Sequence, residues 1–446
     1  WFVTQQDVTK CDNGKKDIAS QARGLLESYP ENPNQTEGNP NVSCAGFIYD
    51  EALAGLVFLS RGDLSRAKRI LDFFITYKNN HPGFNGFSFG FDLSTGEPWI
   101  QSPIDYFENR TGDNAWVGIF ALEYYLLTKD ENAYLLARAI ADWLTSEKAP
   151  SIPATLKANN IVSLHPGMVP FSTASSSDAV KPYANFSTEK NLSTVAFLNK
   201  FKLFADKRAD SIVAVNRIDE KIEGIAAFLG SMWDPSAHLF NAGQNFTNRT
   251  WNTDTHKVLD VNSWFLLAAD VGHIVNMTGP DVKVFTDAIE QNFAQVVDQN
   301  VTGFDFIDRT QRQTPVKWIE GTNGMIVAYK KLLDLAKLYK SAPYIAHYQS
   351  KVDQLLQASQ ADVRHKECFR LSLPYTNSAK SIVAYPFWGT YDTSLGTSVA
   401  STAWAMFSLS GTNPMYPTLG FDGSTIPDMC CAANKTCSST RTTNGL

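Results

Sequence analysis

The sequence predicts an all-α chain whose helices alternate between fully apolar and amphipathic members, and three observations predict it. Six runs are apolar on every side: 46–60, 112–128, 188–206, 257–274, 319–339 and 395–409. Each alternates with a helix carrying a single apolar stripe, at 63–79, 131–147, 209–230, 280–298 and 343–360. The interval between apolar runs is roughly 60–75 residues, too long and irregular for a common solenoid. A helix apolar all round must be buried on all sides. Six inner helices enclosed by six half-buried outer ones form an (α/α)6 toroid, with long loops and a small β-hairpin at one face.

The elements follow in order. Residues 1–15 read as an irregular arm. Residues 16–28 carry Ile18, Ala22, Leu25 and Leu26 at helical spacing, so a helix is expected there as outer partner of the last inner helix. Residues 29–45, rich in Pro, Asn and Gly, form a loop. Helix 63–79 turns Leu64, Ala67, Ile70, Leu71 and Phe74 inward. The Gly/Phe-rich stretch 81–97 alternates with period two and ends in a turn, which predicts the hairpin. Helix 131–147 is amphipathic through Tyr134, Leu135, Ala137, Ala141 and Trp143. The prolines of 148–186 mark a long loop, and Gly411-Thr412-Asn413-Pro414 stops the last helix. One domain spans 1–446, with a core of about 16–410 and a disulfide-tied tail over 411–446.

Composition narrows the function. The 446 residues are 43% hydrophobic and 12% aromatic, ample for one large core. A net charge of −6 disfavours nucleic acid and anionic membranes as partners. No apolar run reaches the roughly 18 residues of a membrane span. The first residue, Trp1, follows no basic-then-apolar leader, which fits a signal peptide already removed. Cys11, Cys44, Cys368, Cys430, Cys431 and Cys437 make an even set without zinc-site spacing, so disulfides are expected. Cys11 with Cys44 would clip the arm to the first inner helix, and Cys368 would hold the tail through one of the other three. Asn-x-Ser/Thr sequons stand at Asn34, Asn41, Asn109, Asn185, Asn191, Asn245, Asn248, Asn276, Asn300 and Asn434. Together these features point to a secreted, extracellular eukaryotic glycoprotein acting as a monomer.

Acids stand at five inner-helix mouths: Asp50 and Glu51, Asp113, Glu189, Asp260 and Glu320. In a ring whose inner helices run parallel, these mouths open on one face, and the acids should converge on one cleft. Glycoside hydrolysis needs two carboxyl groups, a proton donor and a base or nucleophile. Glu320, beside Trp318 and Met325, is the expected acid, because desolvation raises a carboxyl pKa. Asp113 is the expected base, and Glu189 and Asp260 are further catalytic candidates. Tyr49, Asp50, Asn114, Trp116, Trp264, Trp318, Trp388 and Tyr391 are expected to bind sugar, the aromatic ones by stacking. No dinucleotide loop, Walker loop or zinc motif is present, and the seven histidines lack ligand spacing, so neither metal nor cofactor is expected. Asp305 and Asp308 form the one loop where calcium would be tested.

The pattern resembles the six-hairpin, (α/α)6-toroid glycosidases over about residues 45–410. Gly112-Asp113-Asn114-Ala115-Trp116, Ser187-Thr188-Glu189-Lys190-Asn191, Leu259-Asp260-Val261-Asn262-Ser263-Trp264 and Trp318-Ile319-Glu320-Gly321-Thr322 resemble recurring segments of uncharacterised microbial toroid proteins. The resemblance implies the toroid fold and leaves the substrate to the site; the acids at the mouths point to a glycoside hydrolase acting on a neutral oligo- or polysaccharide, by inversion if Asp113 and Glu320 face each other. A polysaccharide lyase is the first rival, though acidic mouths would repel a uronate. A cyclase or isomerase lacks its aspartate-rich motif here. A non-catalytic carbohydrate-binding or cell-wall protein is the third rival.

Overall fold

The structure, a computed structural model, describes residues 2–11, 14, 16–30, 44–99, 108–145, 172–174, 185–208, 214–247, 250–279, 281–311, 316–360 and 398–415. A short helix, α1 (Phe2–Gln6), leads the chain. Helices then follow in groups: α2 (Ile48–Ser60) with α3 (Leu64–Asn80), and α4 (Thr111–Thr128) with α5 (Glu131–Thr145). Next come α6 (Thr188–Lys207) with α7 (Ala214–Met232), and α8 (Leu259–Ala268) with α9 (Val271–Thr278) and α10 (Val282–Phe293). Last are α11 (Ile319–Leu338) with α12 (Ala342–Gln360), and then α13 (Val399–Ser410).

The six apolar helices close a ring. α2 packs on α4, α4 on α6, α6 on α8, α8 on α11, α11 on α13, and α13 back on α2. This is an (α/α)6 toroid, and its core is the ring interior. All of α8 is buried, as is α4 from Thr111 through Tyr124. Neighbouring inner helices interlock through glycine notches. A Cβ on Gly55 of α2 would meet the Phe120 ring of α4 at 2.5 Å, and one on Gly118 of α4 would meet the Phe197 ring of α6 at 2.4 Å. The outer helices bury one stripe, as α3 does with Ala67, Ile70, Leu71, Phe73 and Phe74. Leu64 and Leu135, expected inward, are 38% and 48% exposed. Among the described residues no helix is long and apolar enough to cross a membrane.

Every inner helix begins from an extended residue: Phe47, Arg110, Ser187, Val258, Trp318 and Ser398. Three of these end short strands, Ala45–Phe47, Glu108–Arg110 and Asn185–Ser187. A side-chain amide or hydroxyl four or five residues into the chain's turn then ties the start down. Asn114, Asn191, Asn262 and Asn323 each donate to the carbonyl four residues back, and Thr322 and Thr402 do the same with hydroxyls. Two of the asparagines also clamp an incoming loop. Asn114 accepts from Phe87 N and donates to Phe87 O, and Asn262 accepts from Phe240 N.

Several expectations are corrected. Residues 16–28 do not form a helix. Lys16–Asp17 pairs with Lys10–Cys11, a 3-10 turn covers Ser20–Ala22, and Ser28 N donates to Ala45 O. No outer partner of α13 is found among the described residues. Helix 257–274 breaks at Ala269, which is extended, and Asp270 caps a new helix by accepting from His273 N. The next helix stops at Phe293. Ala294–Val297 then pairs with Asn300–Phe304 across a turn whose Asp298 and Gln299 are left-handed. The stretch 81–97 is only partly a hairpin: Gly90–Asp92 turns back so that Phe91 bridges Pro98, but its strand partner is Ala45–Phe47.

Candidate active site

The acids occupy the first turns of five consecutive inner helices. Asp50 and Asp113 are third residues of α2 and α4, while Glu189, Asp260 and Glu320 are second residues of α6, α8 and α11. A helix N-terminus favours negative charge there. All five are buried, between 4% and 8% exposed. They also feel one another's charge. Asp113 acts on Asp50 and Glu189, Glu189 acts on Asp260 and Glu320, and Asp50 acts on Glu320. The structure thus brings all five to one place at the mouth of the ring. Glu51 turns away from it: its Oε1 accepts from Leu26 N at 2.8 Å, and burial pushes its carboxyl well up.

Surroundings sort the carboxyls. Burial pushes Glu320 up to about 8, against a hydrogen bond from Tyr49, with Asp50 and Glu189 adding to the rise. Tyr49 Oη donates to Glu320 Oε1 at 2.6 Å and accepts from Trp404 Nε1 at 2.7 Å. Burial pushes Asp260 up to about 8, with Glu189 adding, and Asp50 up to about 7, against a Ser28 hydrogen bond. Burial likewise raises Glu189, partly offset by Lys190. Asp113 has a different environment, an ion pair at 2.7 Å with the ammonium of Lys190.

Beneath the acids lies an aromatic floor. Trp116, Trp264 and Trp404 are each the sixth residue of their helix, on α4, α8 and α13. These are alternate members of the ring, and the intervening helices place Leu53, Ser193 and Gly324 at the same position. Three indoles fit the axis where six would not. Their ring centroids lie 5.6 Å, 6.0 Å and 6.3 Å apart, and Tyr49 sits 5.4 Å from Trp116.

The residues expected to bind sugar sit at different depths. Trp116 is fully buried, and Trp318 is 4% exposed and edge-on to Phe306 at 5.0 Å, so both pack against the core in the ligand-free protein. Asn114 is fully buried and occupied by the Phe87 clamp and Arg110 O. Trp264, at 6%, keeps an edge at the floor. Trp388 and Tyr391 lie outside the described residues. Asn191 is fully buried with its amide on Ser187 O, which leaves no space for a glycan. Asn276 and Asn300 are exposed, and Asn109 is partly so. Side chains at Asn185 and Asn245, and residues 34, 41, 248 and 434, lie outside the described set. Cys11 is bonded to Cys44; Cys368, Cys430, Cys431 and Cys437 lie outside the described residues.

Asp305 accepts from Phe306 N and Val316 N, and Asp308 accepts from Thr310 N and the Thr310 hydroxyl. Among the described residues no group of three or more His, Cys, Asp or Glu is placed to hold a metal ion. His256 is exposed and pairs with Asp254. Sequence reasoning missed Trp404 and Lys190 as site residues. Each carried a signal: Trp404 repeats the offset of Trp116 and Trp264, and Lys190 puts a cation where the helix dipole disfavours one.

No family model matches the chain, and no curated protein matches its sequence. Solved structures do match its fold. A D-mannose isomerase superposes with a TM-score of 0.56 at 12% identity, covering 91% of this chain and 95% of that one. A family 76 glycoside hydrolase from a bovine Bacteroides thetaiotaomicron strain gives 0.53 at 13%, covering 91% and 76%. The unsaturated glucuronyl hydrolase of Bacillus sp. GL1 gives 0.53 at 10%, covering 86% and 90%. At such identities the likeness establishes the fold, a toroid shared by hydrolases and isomerases alike.

Proposed function

We propose that the chain is a glycoside hydrolase acting on a neutral oligo- or polysaccharide, with Glu320 as general acid and Asp113 as general base. One observation carries this reading: two carboxyl groups at one mouth sit in opposed surroundings. Glu320 is raised to about 8 by burial, while Asp113 is ion-paired with Lys190. A buried carboxyl that keeps its proton suits a general acid, and one held in an ion pair suits a general base. The family 76 glycoside hydrolase and the unsaturated glucuronyl hydrolase among the similar folds support it, since both are named as glycoside-cleaving enzymes.

The chemistry follows from these groups. Glu320 protonates the glycosidic oxygen as the bond to the anomeric carbon breaks. The Tyr49 hydroxyl, itself held by Trp404, then donates to the carboxylate left behind. Asp113 takes a proton from the attacking water. α4 and α11 are opposite members of the ring, and with neighbouring axes about 9 Å apart their axes lie roughly 18 Å from each other. Inward side chains then leave a gap of about 6–9 Å, enough for a water and hence for inversion. Asp50, Glu189 and Asp260 bind sugar hydroxyls in this scheme. The disulfide and the exposed sequons support a secreted glycoprotein.

Release of reducing sugar from a panel of neutral polysaccharides, followed by NMR of the first-formed anomer, tests the reading. Hydrolysis with inverted configuration is expected. Retention would move the roles to Glu189 and Asp260. An unsaturated product absorbing in the ultraviolet would mean a lyase, and a ketose or epimer without bond cleavage would mean an isomerase.

A further inference from the structure

Lys190 stands third in α6, at the positive end of a helix dipole, where a cation is disfavoured. Its side chain is 5% exposed, with Nζ 2.7 Å from Asp113 Oδ1 and 3.1 Å from Glu189 Oε2. The stem reaches α4 over Gly112. A Cβ there would come within 2.4 Å of Lys190 Cδ and 3.0 Å of its Cα. The missing side chain at Gly112 therefore makes the channel through which the ammonium arrives.

We infer, on the basis of the hydrolase reading, that Lys190 is a positioning residue that aims Asp113 through their ion pair and, by standing between Asp113 and Glu189, keeps the two carboxyl groups from pairing with each other. The groups facing it are Asp113 from α4, Arg110 from the strand just before α4, Glu189 on its own helix, and Asp260 and Glu320 across the mouth. Burial works against the ammonium, but Asp113 and Glu189 outweigh it, and Lys190 stays above the usual lysine range. Without it two carboxyl groups would meet in a dry site. One would hold its proton to higher pH, as paired carboxylates do.

The test uses the full chain with Lys190→Met, which keeps the length of the stem, and Gly112→Ala, which displaces it. An opposite charge in contact lowers a carboxyl pKa by about 1–3 units, so the acid limb of the kcat/KM profile should rise by at least about one unit in Lys190→Met. Below that limb one unit is about a tenfold loss of rate, while KM changes little. Gly112→Ala should move the limb the same way by less. A second readout needs no activity. Carboxyls that lose this ammonium, with only Arg110 remaining nearby, have raised folded pKa values, so stability is lost as pH rises. The melting-temperature gap between wild type and Lys190→Met should therefore widen from pH 4 to pH 8. If Lys190→Met does not fold, Gly112→Ala supplies both readouts. A lower rate with an unmoved acid limb, or a melting gap independent of pH, overturns the inference. If the wild type cleaves no glycan, the hydrolase reading falls by itself, and the melting curves decide the role of Lys190.

Discussion

Glu320 and Asp113 differ in what each needs from its neighbours, and substitutions should separate them. Glu320→Gln removes the proton donor with little change of shape, so the rate should fall by about 10²–10⁴-fold, as when a general acid is lost. Oligosaccharide binding, followed by calorimetry, should persist. Aryl glycosides with activated leaving groups should be partly spared, because they need no protonation. Asp113→Asn should be slow on both kinds of substrate, and added azide should restore turnover by attacking from the open face. Near-normal activity of Glu320→Gln would remove it from the acid's role. Tyr49→Phe tests the hydrogen bond. The Tyr49 hydroxyl lowers the Glu320 pKa, so its loss should move the basic limb of the pH–rate profile upward from about 8. A limb that stays or falls would show that Tyr49 is only packing.

The helices interlock closely enough that small changes should register. Gly118→Ala places a methyl against the Phe197 ring, which belongs to the fully buried core. Overpacking a core typically costs about 1–3 kcal/mol, read as a lower midpoint in urea. The same closeness explains what the sequence disclosed at this scale. Helices apolar on every side can only be interior, so the ring was legible, as were the acids in its first turns. Residues 16–28 misled because Ile18, Ala22, Leu25 and Leu26 have helical spacing and are all buried. Their backbone is served from outside, by Leu93 O at Ala19, Glu51 at Leu26 and Ala45 O at Ser28. Distant partners there override a local period. The break at Ala269 was hidden for the opposite reason, since apolar residues continue through it while Asp270 starts a new cap. The asparagine clamp escaped notice too. Polar residues at a helix mouth look like ligand-binding groups until both amide atoms are seen to be spoken for.

For the whole molecule, the mouth is a store of pH-dependent stability. Asp50, Asp260 and Glu320 are held up at about 7, 8 and 8, above the values they take in an unfolded chain. The folded state gains from keeping them neutral; that gain is complete below the unfolded carboxyl pKa near 4 and is lost as pH rises through 7–8. The melting temperature of the ligand-free protein should therefore fall between pH 5 and pH 9, and Asp260→Asn should flatten that decline in scanning calorimetry. A flat wild-type curve would mean that the mouth is wetter than its burial indicates. Trp388 and Tyr391, the aromatic residues expected to meet sugar, lie outside the described residues, so which sugar enters was not legible at any scale.

The ring also fixes an order of events in the life of the chain. α2 and α13, first and last of the six, are neighbours across its seam. The Tyr49 hydroxyl meets Glu320 across 271 residues and the Trp404 indole across 355. Contacts of such separation form late, because the loop they close is long and its entropy must be overcome first. A nascent polypeptide that has already emitted Tyr49 and all five carboxylates still lacks Trp404, whose indole holds the Tyr49 hydroxyl that donates to Glu320. Catalytic competence would then arrive as one event, when the final helix seals the circle, and a polypeptide cut short before Trp404 would be inert however much of it had folded.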